Sequence, residues 1–478
     1  MPQESSKILH PMEDALDLRL DSELQQALEH IVRDVDAAGG RALLVGGSVR
    51  DALIGTPVDD LDLEVYGLDV DSLQALLLER FEIDIVGRSF GVLKIRHLPI
   101  DVALPRRESK RGRGHRGFVV DGVPDMPVAE AAARRDFTIN ALAFDALRGE
   151  LIDPWDGRRD LEAGILRHVS EKFAEDPLRV LRGMQMAARF ELVAAPETIE
   201  LCRTMDLEGL APERIFEEWR KLILRGKRPS LGLDFLRRSG WIRYFPELEE
   251  MIHCPQDPEW HPEGDVWTHT LHVMDAFADE RTGDAWEDLV VGFGCLCHDL
   301  AKPTTTHFER GRWRSPGHEE AGEAPTRSFL GRMSEQEKLV EEVVPLVREH
   351  LKPIMLYKAE AGPAAIRRLA RRVGRIDRLV RLSRADHRGR PPLPWDGYPA
   401  GDWLLAQAEQ LRLEAAAPQP IVLGRHLIEL GLEPGRHFGP LLETCFEAQL
   451  DGAFEDIDGG VEFTRRLLDE RGPVAAGS

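Results

Sequence analysis

RALLVGGSVRDALIG (41–55), followed by VDDLDLEV (58–65), decides the reading of this chain. Residues 41–45 are a short apolar run that stops at two glycines, the pattern of a buried strand entering a turn. SVRDALIG reads as the helix that follows. At that junction Gly46 and Gly47 would let backbone N–H groups approach a phosphate, and the helix N-terminus favours an anion. Arg50 adds a fixed positive charge. LDLEVYG (61–67) reads as a second strand. Asp60 and Asp62 are two residues apart, so their carboxylates point to one face. Side by side they repel unless a cation lies between or beside them. A hard divalent ion such as Mg²⁺ takes such oxygens and keeps sites for phosphates. Asp101, at the end of a later strand within VLKIRHLPIDVAL (92–104), would be a third carboxylate. Ions so held would activate an attacking hydroxyl and stabilise a leaving pyrophosphate. The bland alternative, a surface strand with solvated acids, fits the pair equally well at this point.

Outward from this core, residues 22–38 have helical periodicity and stop at Gly39-Gly40. DSLQALLLERF (71–81) reads as a helix. Strands mixed with helices up to about residue 155 define one α/β head. Residues 160–250 read as helical throughout, and 255–390 as helical with many histidines. PPLPWDGYP (391–399) is a break, and short helices follow it. The expected fold class is α+β: a head containing the sheet, then helical domains. The expected divisions are 1–40 (helical extension), 41–160 (head), 161–252, 255–390 and 391–478 (linker and tail).

The net charge of −22 argues against a protein that coats nucleic acid indiscriminately. Two basic stretches remain as local contact candidates. RRESKRGRGHR (106–116) carries six Lys or Arg and is Gly-rich, which predicts a mobile loop. Residues 367–390 carry ten Arg. Both are equally open to reading as solvated faces. Five scattered cysteines do not make a disulfide framework, and a reducing cytoplasm is the default. No apolar run reaches the ~18 residues of a membrane span, and the first twenty residues lack the order of a secretory signal.

GGSVRDALIG (46–55), DDLDLEV (59–65), RRDFTINALA (134–143), DPWDG (153–157) and EDPLRVLR (175–182) occur in one chain in this order. Together they resemble the class II tRNA nucleotidyltransferases, the superfamily of bacterial CCA-adding enzymes and poly(A) polymerases, closely over about residues 40–250. The resemblance implies a head with a mixed β-sheet, then helical neck, body and tail. It implies stepwise addition of CMP, CMP and AMP to tRNA 3′ ends from CTP and ATP. By motif, Gly47 and Arg50 would meet the triphosphate, and Asp60 and Asp62 the Mg²⁺ ions. Arg135 and Asp136 would contact phosphate and ribose, with Asn140 close by. Residues 161–252 would be neck and body, for nucleotide selection and tRNA binding.

The resemblance assigns base selection to Glu175, Asp176 and Arg179, and the chemistry fits. Cytosine and adenine each present an exocyclic amine beside a ring nitrogen acceptor; uracil and guanine present a carbonyl and an N–H. A carboxylate and a guanidinium on one helical face, at i and i+3, would accept the first pair and reject the second. The alternative is an ordinary i,i+3 salt bridge near a helix start. In relatives an arginine often stands one turn beyond. Here that position is Gln185, which leaves Arg182 to carry the triphosphate contact, with Arg189 further along.

The basic loop 105–120 resembles the element needed for the AMP step, or guides the acceptor backbone. Arg220 and Lys221, in PERIFEEWRKLI (212–223), would reach tRNA phosphates or be solvated. IVGRSFGVLKI (85–95) partly matches a poly(A) polymerase signature, with Ser89 where a basic residue or Gln is expected.

A second constellation lies downstream. His269 in WTHTLHVMDA, His298-Asp299 in GCLCHDLAK and Asp386 in ADHRGR resemble the H…HD…D set of HD-domain phosphohydrolases. Imidazoles and carboxylates suit Mn²⁺, Ni²⁺, Fe or Mg²⁺. His318 and His350 fit auxiliary positions, or core or surface roles. HD-containing CCA proteins carry phosphatase and 2′,3′-cyclic phosphodiesterase activities. Residues 424–452 resemble the helical tail of such proteins. Three rivals accompany the CCA reading: an A-adding enzyme or poly(A) polymerase, an HD hydrolase whose head only binds RNA, and a silent RNA-binding protein. The oligomeric state is open.

Overall fold

The computed structural model describes residues 16–86, 92–110, 118–334, 336–413 and 415–471. They form two compact units, divided after Phe245. Ser89 and residues 111–117 of the basic stretch lie outside the described residues.

In the first unit, β1 (Arg41–Val45), β2 (Leu61–Tyr66), β3 (Ile83–Val86), β4 (Val92–Ile95), β5 (Ile100–Ala103), β8 (Ala143–Asp145) and β9 (Glu150–Ile152) make one seven-stranded sheet, ordered β3-β4-β5-β2-β1-β8-β9. β2 and β5 run parallel and the other neighbours antiparallel, so the sheet is mixed, as expected. α1 (Ser22–Ala37) is capped by Asp21, whose carboxylate accepts from the Glu23 and Leu24 amides at 3.0 and 2.9 Å. It buries Leu24, Leu28, Ile31 and Val35, one face at helical spacing. α2 (Gly47–Leu53) follows β1, and α3 (Val70–Leu78) follows β2.

Three expectations are corrected here. Asp101 is the second residue of β5, directly opposite Asp62 in the parallel register, and not at a strand end. Residues 106–110 and 118–122 are not loop: they pair as an antiparallel ribbon, β6 (Arg106–Lys110) with β7 (Phe118–Gly122). The region after 160 also contains a small parallel strand pair, Ile165–Leu166 with Val193–Ala194. The helix Leu178–Phe190 packs against Pro212–Arg225 and Pro229–Arg238. A Cβ at Gly232 would sit 2.4 Å from the Met184 carbonyl, so only glycine lets these backbones approach so closely.

Among its described residues the second unit is helical apart from one hairpin, His307–Glu309 with Arg312–Arg314. Helices Val266–Asp279, Ala285–Cys297, Glu337–Glu349 and Ile376–Arg388 pack around Phe277, Phe293, Leu346 and Leu382. The last segment closes its own core on Leu427, Leu441, Cys445 and Phe454. The arginines of 367–390 are a further correction, being taken up inside the unit. Arg378 reaches Glu287 and Glu342 at 2.6 and 2.5 Å, and Arg372 reaches Glu349 at 2.7 Å. Arg371 reaches Glu447 at 2.6 Å, and Arg381 pairs with Asp288. Much of the run is thus ion-paired within the unit, although Arg368, Arg372 and Arg388 keep 37–47% of their side chains exposed.

Candidate active sites

The turn from β1 into α2 opens a cleft of about 640 Å³ in the first unit. Ten cationic side chains and five aspartates line it, so this chain of net charge −22 offers a polyanion one locally positive surface. Gly46 has φ +80°, and a Cβ there would lie 2.8 Å from Arg135 Nη1 and 3.9 Å from Asp62 Oδ2. Its N–H already donates to the Leu142 carbonyl at 3.2 Å. Gly46 therefore clears room in front of Arg135 and Asp62; it does not supply a phosphate donor. Gly47 lines the cleft beside it.

Asp60, just before β2, and Asp62, inside it, both line the cleft. Burial raises the Asp62 carboxyl above the ordinary range, and Asp60 and Asp101 add to the rise against Arg135 and Lys94. Like charges gathered along the cleft fit a bound divalent cation. Asp101 is beside Asp62 in register, yet Lys94 Nζ holds both its oxygens at 2.8 and 2.6 Å.

RRDFTINALA lines the cleft beside them. Arg134 reaches buried Glu64 on β2 at 2.8 Å, which fixes the segment against the sheet. Asp136 is buried and accepts from the Phe137 amide at 2.8 Å, Asn140 Nδ2 at 2.9 Å and Arg182 Nε at 2.7 Å. Burial alone would raise its pKa; Arg182 and these donors hold it down at about 2. Asn140 in turn accepts from Arg50, which also reaches Asp51 at 2.7 Å and stacks on Phe190 at 4.2 Å. Arg189 stacks on the same ring at 4.9 Å and has no ion-paired carboxylate among the described residues.

Asp176 and Arg179 both line the cleft, but not as the i,i+3 helical pair expected. Asp176 is extended backbone before the helix, and its carboxylate accepts from the Leu178 amide at 3.1 Å and lies 3.3 Å from Arg214. Arg179 donates to the Lys172 carbonyl at 2.6 Å and to that of Arg134. Glu175 is exposed and outside the cleft lining. Gln185 lines it, 4% exposed, with a buried Oε1 that has no hydrogen-bond partner among the described residues. Lys221 also lines it, 2.8 Å from Glu218, whereas Arg220 turns to Glu217.

The second unit gathers all six expected residues in one buried cluster. His269, His298 and Asp386 bring their ligand atoms within 4.8 Å of one another, and so do Asp299, His318 and His350. The Nδ1 atoms of His298, His318 and His350 donate to the carbonyls of Cys295, Ser315 and Val347 at 2.8, 2.7 and 2.7 Å. A carbonyl only accepts, so each Nδ1 carries its proton and each Nε2 is left for the cluster, that of His318 3.4 Å from that of His350. Burial and the neighbouring His318 and His298 rings hold His350 down at about 3. His298 Nε2 lies 3.1 Å and His318 Nε2 3.3 Å from Asp299 oxygens, and Lys302 Nζ lies 2.7 Å from one of them. Imidazoles and carboxylates converging in one buried cluster fit a metal cation.

Three residues of this cluster escape sequence reading. Glu263 takes Nδ1 of His269 at 2.7 Å and of His261 at 2.9 Å, from a Pro-Gly turn with no motif. Lys302 lies 2.7 Å from Asp299; its i,i+3 spacing after His298-Asp299 was a usable signal.

The fold and the two sites define a nucleotidyltransferase head joined to an HD-type metal centre. The Poly A polymerase head domain family matches residues 42–167, the family described as the probable RNA and SrmB-binding site of polymerase A matches 195–252, and the HD domain family matches 266–382. The Multifunctional CCA protein of Xanthomonas campestris pv. campestris is 39% identical over 389 residues, 78% of this chain and 90% of that one. That of Xylella fastidiosa (strain M23) is 38% identical over 390 residues, 79% and 89%. The chain belongs to the multifunctional CCA protein family. Its fold is similar to that of the Bacillus stearothermophilus CCA-adding enzyme in complex with CTP, with TM-score 0.65 and 22% identity over 95% of this chain and 100% of that one.

Proposed function

We propose that the chain adds CMP, CMP and AMP to tRNA 3′ ends, drawing on CTP and ATP. The observation that carries this is the cationic cleft with Asp60 and Asp62 on one wall and Arg135 opposite Gly46. Family membership favours CCA addition over A-only addition or poly(A) synthesis. Asp60 and Asp62 would hold Mg²⁺, with Asp101 as a third carboxylate neutralised by Lys94 until then. When bound, Mg²⁺ supplies Lewis-acid activation of the attacking 3′ hydroxyl and stabilisation of the leaving pyrophosphate. Arg50, Arg135 and Arg189 orient the triphosphate. Asp136 and Asn140 hold Arg182 and Arg50 in place around it. Asp176, steadied by Arg214, accepts from the exocyclic amine of C or A, and Arg179 donates to the ring nitrogen; U and G leave both groups mispaired, at about 1–3 kcal/mol each. Glu175, being exposed, is left to position this turn.

The second unit would be a phosphohydrolase using Mn²⁺, Ni²⁺, Fe or Mg²⁺. His269, His298, Asp299 and Asp386 would hold one ion, and Asp299, His318 and His350 a second. A cytoplasmic location is supported by five buried cysteines, all free thiols. No helix of the described residues is long and apolar enough to cross a membrane.

The test is extension of tRNAs ending at the discriminator base, at C and at CC. With Mg²⁺, CTP and ATP should be incorporated, and UTP and GTP not. Absence of CMP incorporation on every truncated tRNA would sink the proposal. Asp60→Ala should abolish extension and leave phosphoester hydrolysis untouched; loss of both would contradict two separate sites.

A further inference from the structure

The helix Leu178–Phe190 ends on an aromatic ring that the nucleotide chemistry described above does not use. Phe190 is half-buried and does not line the cleft, yet two cleft cations stack on it. The guanidinium carbon of Arg50 lies 4.2 Å from the ring centroid, and that of Arg189 lies 4.9 Å away. The backbone under the ring is fixed. Glu191, the next residue, turns left-handed at φ +55°, and the Leu192 amide closes the helix end on the Ala187 carbonyl at 3.0 Å.

Arg50 shows what the ring is needed for. It is 6% exposed. Its Nε and Nη2 donate to Asp51 at 2.9 and 2.7 Å, and Nη1 donates to Asn140. These bonds lie in the plane of the guanidinium and engage three of its five N–H groups, which leaves two for a substrate oxygen. The face of the group makes no such bonds, and Phe190 covers it. An aliphatic side chain there would bury positive charge without compensation. The electron-rich face of an aromatic ring attracts it. Arg189 depends on the ring more heavily. It is half-buried and has no ion-paired carboxylate among the described residues, and burial and the neighbouring Arg50 depress its pKa. A single ring thus offsets part of the repulsion between two cations of one cleft.

We propose that Phe190 is a positioning residue for nucleotidyl transfer, whose ring holds Arg50 and Arg189 side by side so that both reach one triphosphate. This rests on the triphosphate roles given above for those two arginines. Phe190 itself touches neither substrate nor metal. A carboxylate in its place would also attract both cations, but it would take their N–H groups and compete with the phosphates. The ring attracts the guanidinium faces and leaves the N–H edges for substrate.

The test separates the ring's charge distribution from its bulk. In the full chain, Phe190 is replaced by Tyr, by Leu and by phenylalanines with increasing numbers of ring fluorines, which keep the ring's shape and withdraw its electron density. Each variant, with Arg189→Ala beside them, is measured for the KM of CTP, of ATP and of tRNA, and for competitive inhibition by inorganic tripolyphosphate. Phe190→Tyr should stay close to wild type. Phe190→Leu should raise both nucleotide KM values and the tripolyphosphate inhibition constant about fivefold, the size of a partly desolvated cation–π contact, while the KM for tRNA stays level. The fluorinated rings should raise the same constants stepwise, in the order of their fluorine number. A flat fluorine series overturns the proposal, and so does a folded Phe190→Leu with unchanged tripolyphosphate inhibition. The fluorine series decides the matter even where Phe190→Leu fails to fold. If Arg189→Ala leaves tripolyphosphate inhibition unchanged, the triphosphate role of Arg189 falls, a result distinct from a flat ring series beside an impaired Arg189→Ala.

Discussion

His298 Nε2 faces an Asp299 carboxylate oxygen across 3.1 Å while His298 Nδ1 already donates to the Cys295 carbonyl. Lys302 Nζ lies 2.7 Å from the same oxygen, and His318 Nε2 lies 3.3 Å from the other. The cluster is arranged for cations on both sides of Asp299. The expected content is two Mn²⁺ or Ni²⁺ per chain beyond those of the head, counted by elemental analysis of Asp60→Ala with Asp62→Ala. His318→Ala should lower the count by one and His298→Ala should remove the other ion. A wild-type count of one that His318→Ala leaves unchanged would exclude a second ion.

Arg189 is a cleft cation that stacks on the Phe190 ring and has no ion-paired carboxylate among the described residues. Burial and the neighbouring Arg50 depress its pKa, so a bound polyanion would relieve a repulsion. A charge-assisted contact of this kind is worth about 1.5–3 kcal/mol. Arg189→Ala should raise the KM for CTP and for ATP by similar factors, tenfold or more, because both carry the triphosphate. A change confined to one nucleotide would move Arg189 from phosphate binding to base recognition.

The head was legible because its signals are local. The β1–glycine–α2 turn, the Asp60/Asp62 spacing and the RRDFTINALA segment each depend on neighbours in sequence, and the cleft gathers them. What escaped reading depends on distant partners. Nothing near Asp176 announces Arg214, thirty-eight residues on, as its counter-ion. The arginines of 367–390 read as a surface because their acids lie on other helices, as Glu287 and Glu342 do for Arg378. Asp101 was found, but only strand register revealed that it sits beside Asp62 and that Lys94 holds it. Similarly, the paired strands at 106–110 and 118–122 are invisible to composition, which registers only glycine and charge.

Asp136 ties the head to the helix Leu178–Phe190 through Arg182. Its pKa is near 2 when folded, against 3.8 unperturbed. A depressed carboxylate stabilises the fold above the unfolded value and loses that contribution as pH falls through the folded one. The gap corresponds to about 2 kcal/mol. The stability difference between wild type and Asp136→Asn, from urea unfolding, should therefore shrink by about 2 kcal/mol between pH 5 and pH 2. A difference constant over that range would mean that Asp136 does not act through its charge.

Gln185 brings a carbonyl acceptor, beside its two N–H donors, to a cleft lined mostly by cations. Its Oε1 is buried and without a hydrogen-bond partner among the described residues, which costs about 1–3 kcal/mol in the free protein. A substrate donor, a ribose hydroxyl or a base amine, would remove that cost on binding. Gln185→Leu keeps the volume and deletes the orphaned acceptor. Thermal stability should therefore hold or rise, while the KM for CTP and ATP should rise about fivefold or more and the KM for tRNA stay level. A variant that gains stability with unchanged nucleotide KM would show that the carbonyl is unsatisfied without serving substrate. Gln185→Arg separates the remaining possibility: if it tightens both nucleotides by restoring a phosphate contact, this position belongs to the triphosphate, and the acceptor here is a loss rather than a specificity device.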